Sequence, residues 1–187
     1  FVKAGAPPEI LTEAHPHVGT FRLVTMVMSI RETIEALGGE YRFGTRVDDF
    51  EIADGQLTGL HLSTGELLPA RHVVLAVGHS ARDSFERLHE RGVYLEAKPF
   101  AIGVRIEHPQ AIIDAAQYHC AVRDPYLPPA SYSMVQQVRG LGVYSFCMCP
   151  GGIIAPCATA NDEVVTNGWS PSKRNNPFAN SGVVVTA

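Results

Sequence analysis

One stretch constrains this chain more than any other: Val73-Val74-Leu75-Ala76-Val77, five apolar residues in a row, closed by Gly78. A run that is apolar on both faces predicts a strand buried inside an α/β sheet and covered on both sides. Gly78, having no Cβ, lets another backbone or a flat ligand approach closely. Ser80 then opens a predicted helix, with Asp83 three residues on as in a capping box. Phe85 and Leu88 form its apolar stripe and Gly92 its stop. Strand, glycine turn and helix N-terminus follow one another, and in open α/β sheets ligands gather at the carboxyl ends of strands. A tight turn with no ligand fits the same residues.

Upstream, residues 1–19 are rich in Pro, His and Gly and read as irregular. Thr20 caps a predicted helix whose apolar positions, Leu23, Met26, Val27, Ile30, Ile34 and Leu37, fall three and four apart on one face. Gly38-Gly39 stops it. Alternation over residues 41–47 predicts a half-buried strand. Residues 50–52 and 57–62 flank Asp54-Gly55, a strong hairpin signal, and Ser63-Thr64-Gly65 makes a second turn.

After Ala97 the texture changes, and Lys98-Pro99 marks the expected boundary. Residues 100–106 read as a strand, Pro109 as the start of a short helix through Ala116, and residues 118–131 as a loop. Strand-like runs follow at 132–138, 143–148, 163–167 and 182–186; short strands between turns predict an antiparallel sheet.

Composition excludes several classes. At 45% hydrophobic and 18% charged, the 187 residues suit a globular chain with a sizeable core. A net charge of -4 and no clustered basic face argue against nucleic acid as a partner. No apolar run approaches the roughly 20 residues of a membrane-spanning helix. Four cysteines are too sparse for a disulfide scaffold, which points to a reducing cytoplasm. The chain starts at Phe1 and ends in Val183-Val184-Val185-Thr186-Ala187, as a piece of a longer protein would.

Ser145-Phe146-Cys147-Met148-Cys149-Pro150-Gly151-Gly152 is the first chemical candidate. On a regular strand Cys147 and Cys149 share one face. They can pack as small hydrophobes, line a site or form a redox pair. With Cys120 and Cys157 they match no standard zinc spacing, so no metal is expected. Gly151 and Gly152 let a backbone lie against a ligand, or simply turn. His15 and His17 stand in a Pro-containing loop where an imidazole can shuttle protons. Lys98, Arg105 and His108 near the boundary can hold an anion or be solvated, and Asn167-Gly168-Trp169-Ser170 reads as a turn with a packed aromatic. No serine elbow, P-loop or His-x-x-x-His pair is present, and the catalytic residues stay unassigned.

Pro16-His17-Val18-Gly19-Thr20, the helix behind it, Gly38-Gly39 and Phe43-Gly44-Thr45-Arg46-Val47 resemble the middle of FAD-dependent dehydrogenases related to glutathione-reductase-type flavoproteins. The stretches VLAVGHSARDS from Val74, EAKPFAIGVRIEHP from Glu96 and VYSFCMCPGG from Val143 resemble one branch of them. The resemblance implies that Gly78, with His79 beside it, lies near the cofactor. It also implies that the backbone of Val47 meets the adenine, and that the segment after Lys98 is an inserted substrate domain. The G-x-G-x-x-G turn that would set the FAD pyrophosphate on a helix N-terminus is absent from this chain.

The expected architecture is therefore mixed α/β and α+β. Residues 1–97 form part of an FAD-binding α/β domain, and residues 98–187 an antiparallel, β-rich substrate domain. The expected function is that of an internal segment of an FAD-dependent oxidoreductase acting on a small-molecule substrate or electron donor. FAD belongs to the parent and not to the segment alone. His17, Cys147, Cys149, Gly151 and Gly152 are the substrate-site candidates. The alternatives are a tRNA-modifying-type flavoprotein, disfavoured by the low basic content, and a non-catalytic scaffold with a degenerate flavoprotein fold.

Overall fold

Residues 73–77 do not form a strand. In the computed structural model, which describes residues 1–186, they pair with no other segment, and Val74 is 91% exposed. A buried parallel strand needs hydrogen-bonded neighbours on both sides and cover on both faces. No described strand offers them, and every pairing among the described residues is antiparallel.

The chain divides into two compact units, residues 1–38 with 99–187, and residues 39–98. In the first, two short 3₁₀ turns, Val2–Ala4 and Pro8–Leu11, lead to helix α1, Thr20–Ala36. The 3.6-residue period predicted this helix, but of its apolar stripe only Met26 is buried; Leu23, Val27, Ile34 and Leu37 are exposed. Periodicity specifies which side chains share a face, while burial requires something packed against that face.

The second unit is a three-stranded meander, β1 (Val47–Ala53), β2 (Gln56–Leu62) and β3 (Leu67–Pro69), followed by α2 (Arg82–Glu90). Asp54 and Gly55, at φ 52° and 74°, make the tight β1–β2 turn that the Asp-Gly pair predicts. Residues 41–46 are not a strand: Tyr41 and Phe43 stack with centroids 5.9 Å apart, and Gly44 turns the chain at φ 66°. Phe50, Leu60 and Leu62 from the sheet enclose Leu88 from α2 in one small core. Ser80 does not cap α2. The cap position is Ala81, and the Ser80 carbonyl accepts the Arg82 N–H at 2.9 Å. Gly92, at φ 76°, closes the helix as predicted.

The remainder of the first unit is β4 (Ala101–Pro109), α3 (Gln110–Tyr118), β5 (Val135–Val138), β6 (Leu141–Cys149), β7 (Ile153–Pro156), β8 (Thr166–Trp169) and β9 (Phe178–Thr186). Four strands form an antiparallel sheet in the order β4-β9-β6-β5, and β7 pairs with β8. Short antiparallel strands were expected here. The run at 163–167 lies later, as β8, and β7 was not expected at all. Ala187, the last residue of the C-terminal strand-like run, lies outside the described residues. On β9, Ala179, Asn180 and Ser181 are fully buried, so two polar residues occupy the centre of this sheet.

Candidate functional site

β6 pairs with β9 in regular register from Val143 opposite Val185 to Phe146 opposite Gly182, and then slips. Cys149 pairs with Asn180, so Cys147 and Met148 together oppose one residue of β9. Cys147 takes the left-handed conformation at φ 46°. This is a β-bulge, which adds a residue to one strand and re-aims side chains. The expected placement of both thiols on one face is overturned, because a bulge breaks the period of two. Cys147 and Met148 line a cleft of about 560 Å³. Cys149 instead lies beside Arg105 and Asn180, all three crowding the position where Gly168 would carry a Cβ.

Arg105 holds the bulge in place. Its Nη1 donates to the Cys147 carbonyl at 3.1 Å and to Asn180 Oδ1 at 2.7 Å. Among the described residues Asn180 Nδ2 has no hydrogen-bond partner. Burial pushes the Cys149 thiol up, opposed in part by Arg105, so its proton is retained at neutral pH. His108, another boundary residue, packs its ring on Tyr132 at 5.6 Å.

The Pro150-Gly151-Gly152 turn is buried and fastened from several sides. Gly151 N–H donates to Gln110 Oε1 at 2.8 Å. Gln110 Nε2 donates to Asp114 Oδ1 at 2.8 Å and to the Ala130 carbonyl at 2.9 Å. Asp114 also accepts the Ala130 N–H at 2.8 Å and Arg123 Nε at 2.9 Å. A Cβ on Gly151 would overlap the Arg174 carbonyl, and one on Gly152 the Trp169 carbonyl. The space these glycines free is thus filled by the protein's own backbone.

His17 braces the same region from α1's side. Its Nε2 lies 3.0 Å from the Pro171 carbonyl, and the Thr20 N–H donates to the Ser170 carbonyl at 3.2 Å. Gly19, at φ 93°, abuts the Ser172 backbone, which no larger residue would permit. These contacts fix the loop that carries Arg174, itself left-handed at φ 47°.

Arg174, His15, Gln117, Tyr132, Ser133 and Cys147 are among the residues that line the cleft, and no carboxylate among the described residues does. Of the substrate-site candidates only Cys147 lines it; His17, Cys149, Gly151 and Gly152 lie outside its wall. Arg174, Gln110, Asp114 and Asn180 were not singled out from the sequence. A Gln–Asp pair at i,i+4 on the short helix Gln110–Tyr118 is a legible sign for two of them. Arg174 sits in Ser170-Pro171-Ser172-Lys173-Arg174, which carries no periodicity.

Of the three residues implied for FAD, only Val47 lines one of the described clefts. Val47 lines a separate cleft of about 370 Å³ with Arg46, Asp83, Ser84 and Arg87, whereas Gly78 and His79 do not line it. Gly78 adopts φ 75°, and no described atom lies within 4 Å of where its Cβ would stand. No glycine-rich phosphate cradle accompanies them. The described residues therefore do not by themselves compose a dinucleotide site. Among the described residues no group of three or more His, Cys, Asp or Glu side chains is placed to hold a metal ion. No helix among them is long and apolar enough to cross a membrane.

Comparison with known proteins adds two findings. The chain is 44% identical, over 99% of its length, to a protein of Clostridium beijerinckii described as uncharacterized, and spans 35% of that relative's length. Residues 99–187, which hold the bulge and every described lining residue of the cleft except His15, match the family model described as FAD-dependent protein, C-terminal domain-like.

Proposed function

We propose that this chain is part of an FAD-dependent oxidoreductase, with residues 99–187 forming its substrate-side domain. The observation that carries the reading is the family match over those residues. FAD, gripped by further parts of a longer polypeptide, would supply the redox chemistry by accepting a hydride or an electron pair. This chain's residues would bind and orient the small-molecule substrate or electron donor. The cleft beside the Cys147 bulge is the place for it, since a volume of about 560 Å³ suits a small ligand. Cys147 lines that cleft without covalent chemistry. A cytoplasmic location accords with four unpaired cysteines.

The test is the visible spectrum of the purified longer protein that carries this chain. Flavin absorption bands that bleach when substrate or a nicotinamide donor is added support the reading. A colourless protein that takes up no added FAD overturns it and favours a scaffold.

A further inference from the structure

We propose that the cleft beside the Cys147 bulge binds the carboxylate of a small organic acid, with Arg174 as the cationic anchor. This deepens the reading of the cleft as a substrate site and names the substrate's chemical class.

Charge is the first argument. The lining offers one guanidinium, the imidazole of His15, the hydroxyls of Ser131 and Ser133 and the amide of Gln117, and no acidic group. In a chain of net charge -4, a concave wall carrying a cation and no carboxylate is a local attractor for anions.

The second argument is that the protein's own architecture leaves Arg174 unused. Arg105 is consumed by the bulge, Arg123 by Asp114 and Arg91 by Asp49. Arg174 has no ion-pair partner among the described residues, and its Nε is buried with no hydrogen-bond partner. Glu13 acts on it only at longer range, while burial lowers its pKa, the mark of a charge short of compensation. A half-buried guanidinium without a partner disfavours the folded state unless something outside the chain pairs with it.

Presentation is the third. Arg174 is held in the left-handed region, which L residues adopt at a cost, and its carbonyl is wedged against Gly151. Its own N–H donates to the Pro171 carbonyl at 3.0 Å, and His17 braces that residue in turn. A cation on so fixed a stem is preorganised, which cuts the ordering loss on binding.

The anion is a carboxylate because the lining offers a single guanidinium, with hydroxyl and amide donors and one imidazole beside it. That planar fork matches a planar carboxylate. A phosphate dianion ordinarily gathers a second cation, a helix N-terminus or a nest of backbone N–H groups.

The experiment titrates the longer protein that carries this chain with malonate, with neutral malonamide and with inorganic phosphate, following backbone amide and arginine Nε–H NMR signals. Saturable malonate binding is expected, with shifts at Ser131, Ser133, Cys147 and Arg174, none with malonamide, and phosphate at least about tenfold weaker. Arg174→Gln should weaken malonate binding roughly 10- to 100-fold, the loss of one charge-assisted contact, and Arg174→Lys should fall between. Phosphate bound as well as malonate, shifts confined elsewhere, or undiminished binding in Arg174→Gln each overturn the proposal. If Arg174→Gln fails to fold, the wild-type shift map and Arg174→Lys decide. Flavin content of the longer protein is a separate readout. A yellow protein whose malonate binding ignores Arg174 sinks the carboxylate assignment alone, and a colourless one that binds malonate through Arg174 sinks only the flavoprotein reading.

Discussion

Gln110 and Gly151, 41 positions apart in sequence, are joined by a hydrogen bond of 2.8 Å in which the buried amide oxygen accepts the backbone N–H of the turn. The other end of the same amide donates to Asp114 and to the Ala130 carbonyl. One side chain thus ties α3, the loop before β5 and the turn after β6 together. Gln110→Leu would take these partners from the Gly151 N–H and the Ala130 carbonyl, while Asp114 Oδ1 keeps the Ala130 N–H. A loss of about 2–4 kcal/mol is expected for such a set of buried groups, read from urea unfolding as a lower midpoint. An unchanged midpoint would show that the network contributes nothing.

Two glycines with similar backbones should respond very differently to one methyl group. Gly78 at φ 75° faces open space, so Gly78→Ala should cost only the left-handed strain, about 1 kcal/mol. Gly151 at φ 50° faces the Arg174 carbonyl, so Gly151→Ala adds a backbone collision and should cost several times as much, roughly 3 kcal/mol or more. Thermal melts of the two variants give the comparison, and equal shifts would contradict it.

Stability of the 39–98 unit should fall in acid through one carboxylate, Asp49, paired with Arg91 and, at 3.9 Å, with Arg87. Arg91, donating through Nε at 2.8 Å and through Nη2, holds the Asp49 carboxyl well below the usual carboxylate range, helped by the Phe50 N–H. A carboxyl whose folded pKa is depressed contributes stability that is complete above its unfolded pKa, about 3.9. That contribution is lost as pH drops from there towards the lower folded value. Asp49→Asn should therefore flatten the acid limb of stability below about pH 4. An acid limb of unchanged slope in the variant would rule Asp49 out as its source.

The two thiols of β6 should react at different rates. Cys147 is exposed and lines the cleft, whereas Cys149 is half-buried and its pKa is raised by that burial. Iodoacetamide at neutral pH should label Cys147 well before Cys149, as followed by peptide mass spectrometry. Equal rates, or Cys149 first, would refute the separation that the bulge imposes.

FAD should bind this 187-residue chain more weakly than micromolar, because no glycine-rich turn is present to receive the pyrophosphate. Isothermal titration calorimetry measures it directly, and a micromolar or tighter constant would contradict the expectation.

What the sequence determined by itself is whatever acts within a few residues. Asp54-Gly55 supplies two left-handed positions in succession, and a two-residue hairpin turn needs just that. The three-and-four spacing from Leu23 makes α1, and Gly92 ends α2 because it alone among the twenty residues takes φ 76° without strain. The alternating and β-branched runs after Pro99 make short strands. Tertiary structure decided everything that depends on a neighbour. The same five apolar residues at 73–77 read as a buried strand, yet without a described partner on either edge they pair with nothing. Cys147 and Cys149 share a face only if β6 stays in register, and the register is decided by β9 and by Arg105, 42 positions away from the bulge carbonyl. Arg174 gives no local signal at all. It becomes the cation of a cleft because the Gly151 turn, 23 positions earlier, leaves room for its backbone and for nothing larger.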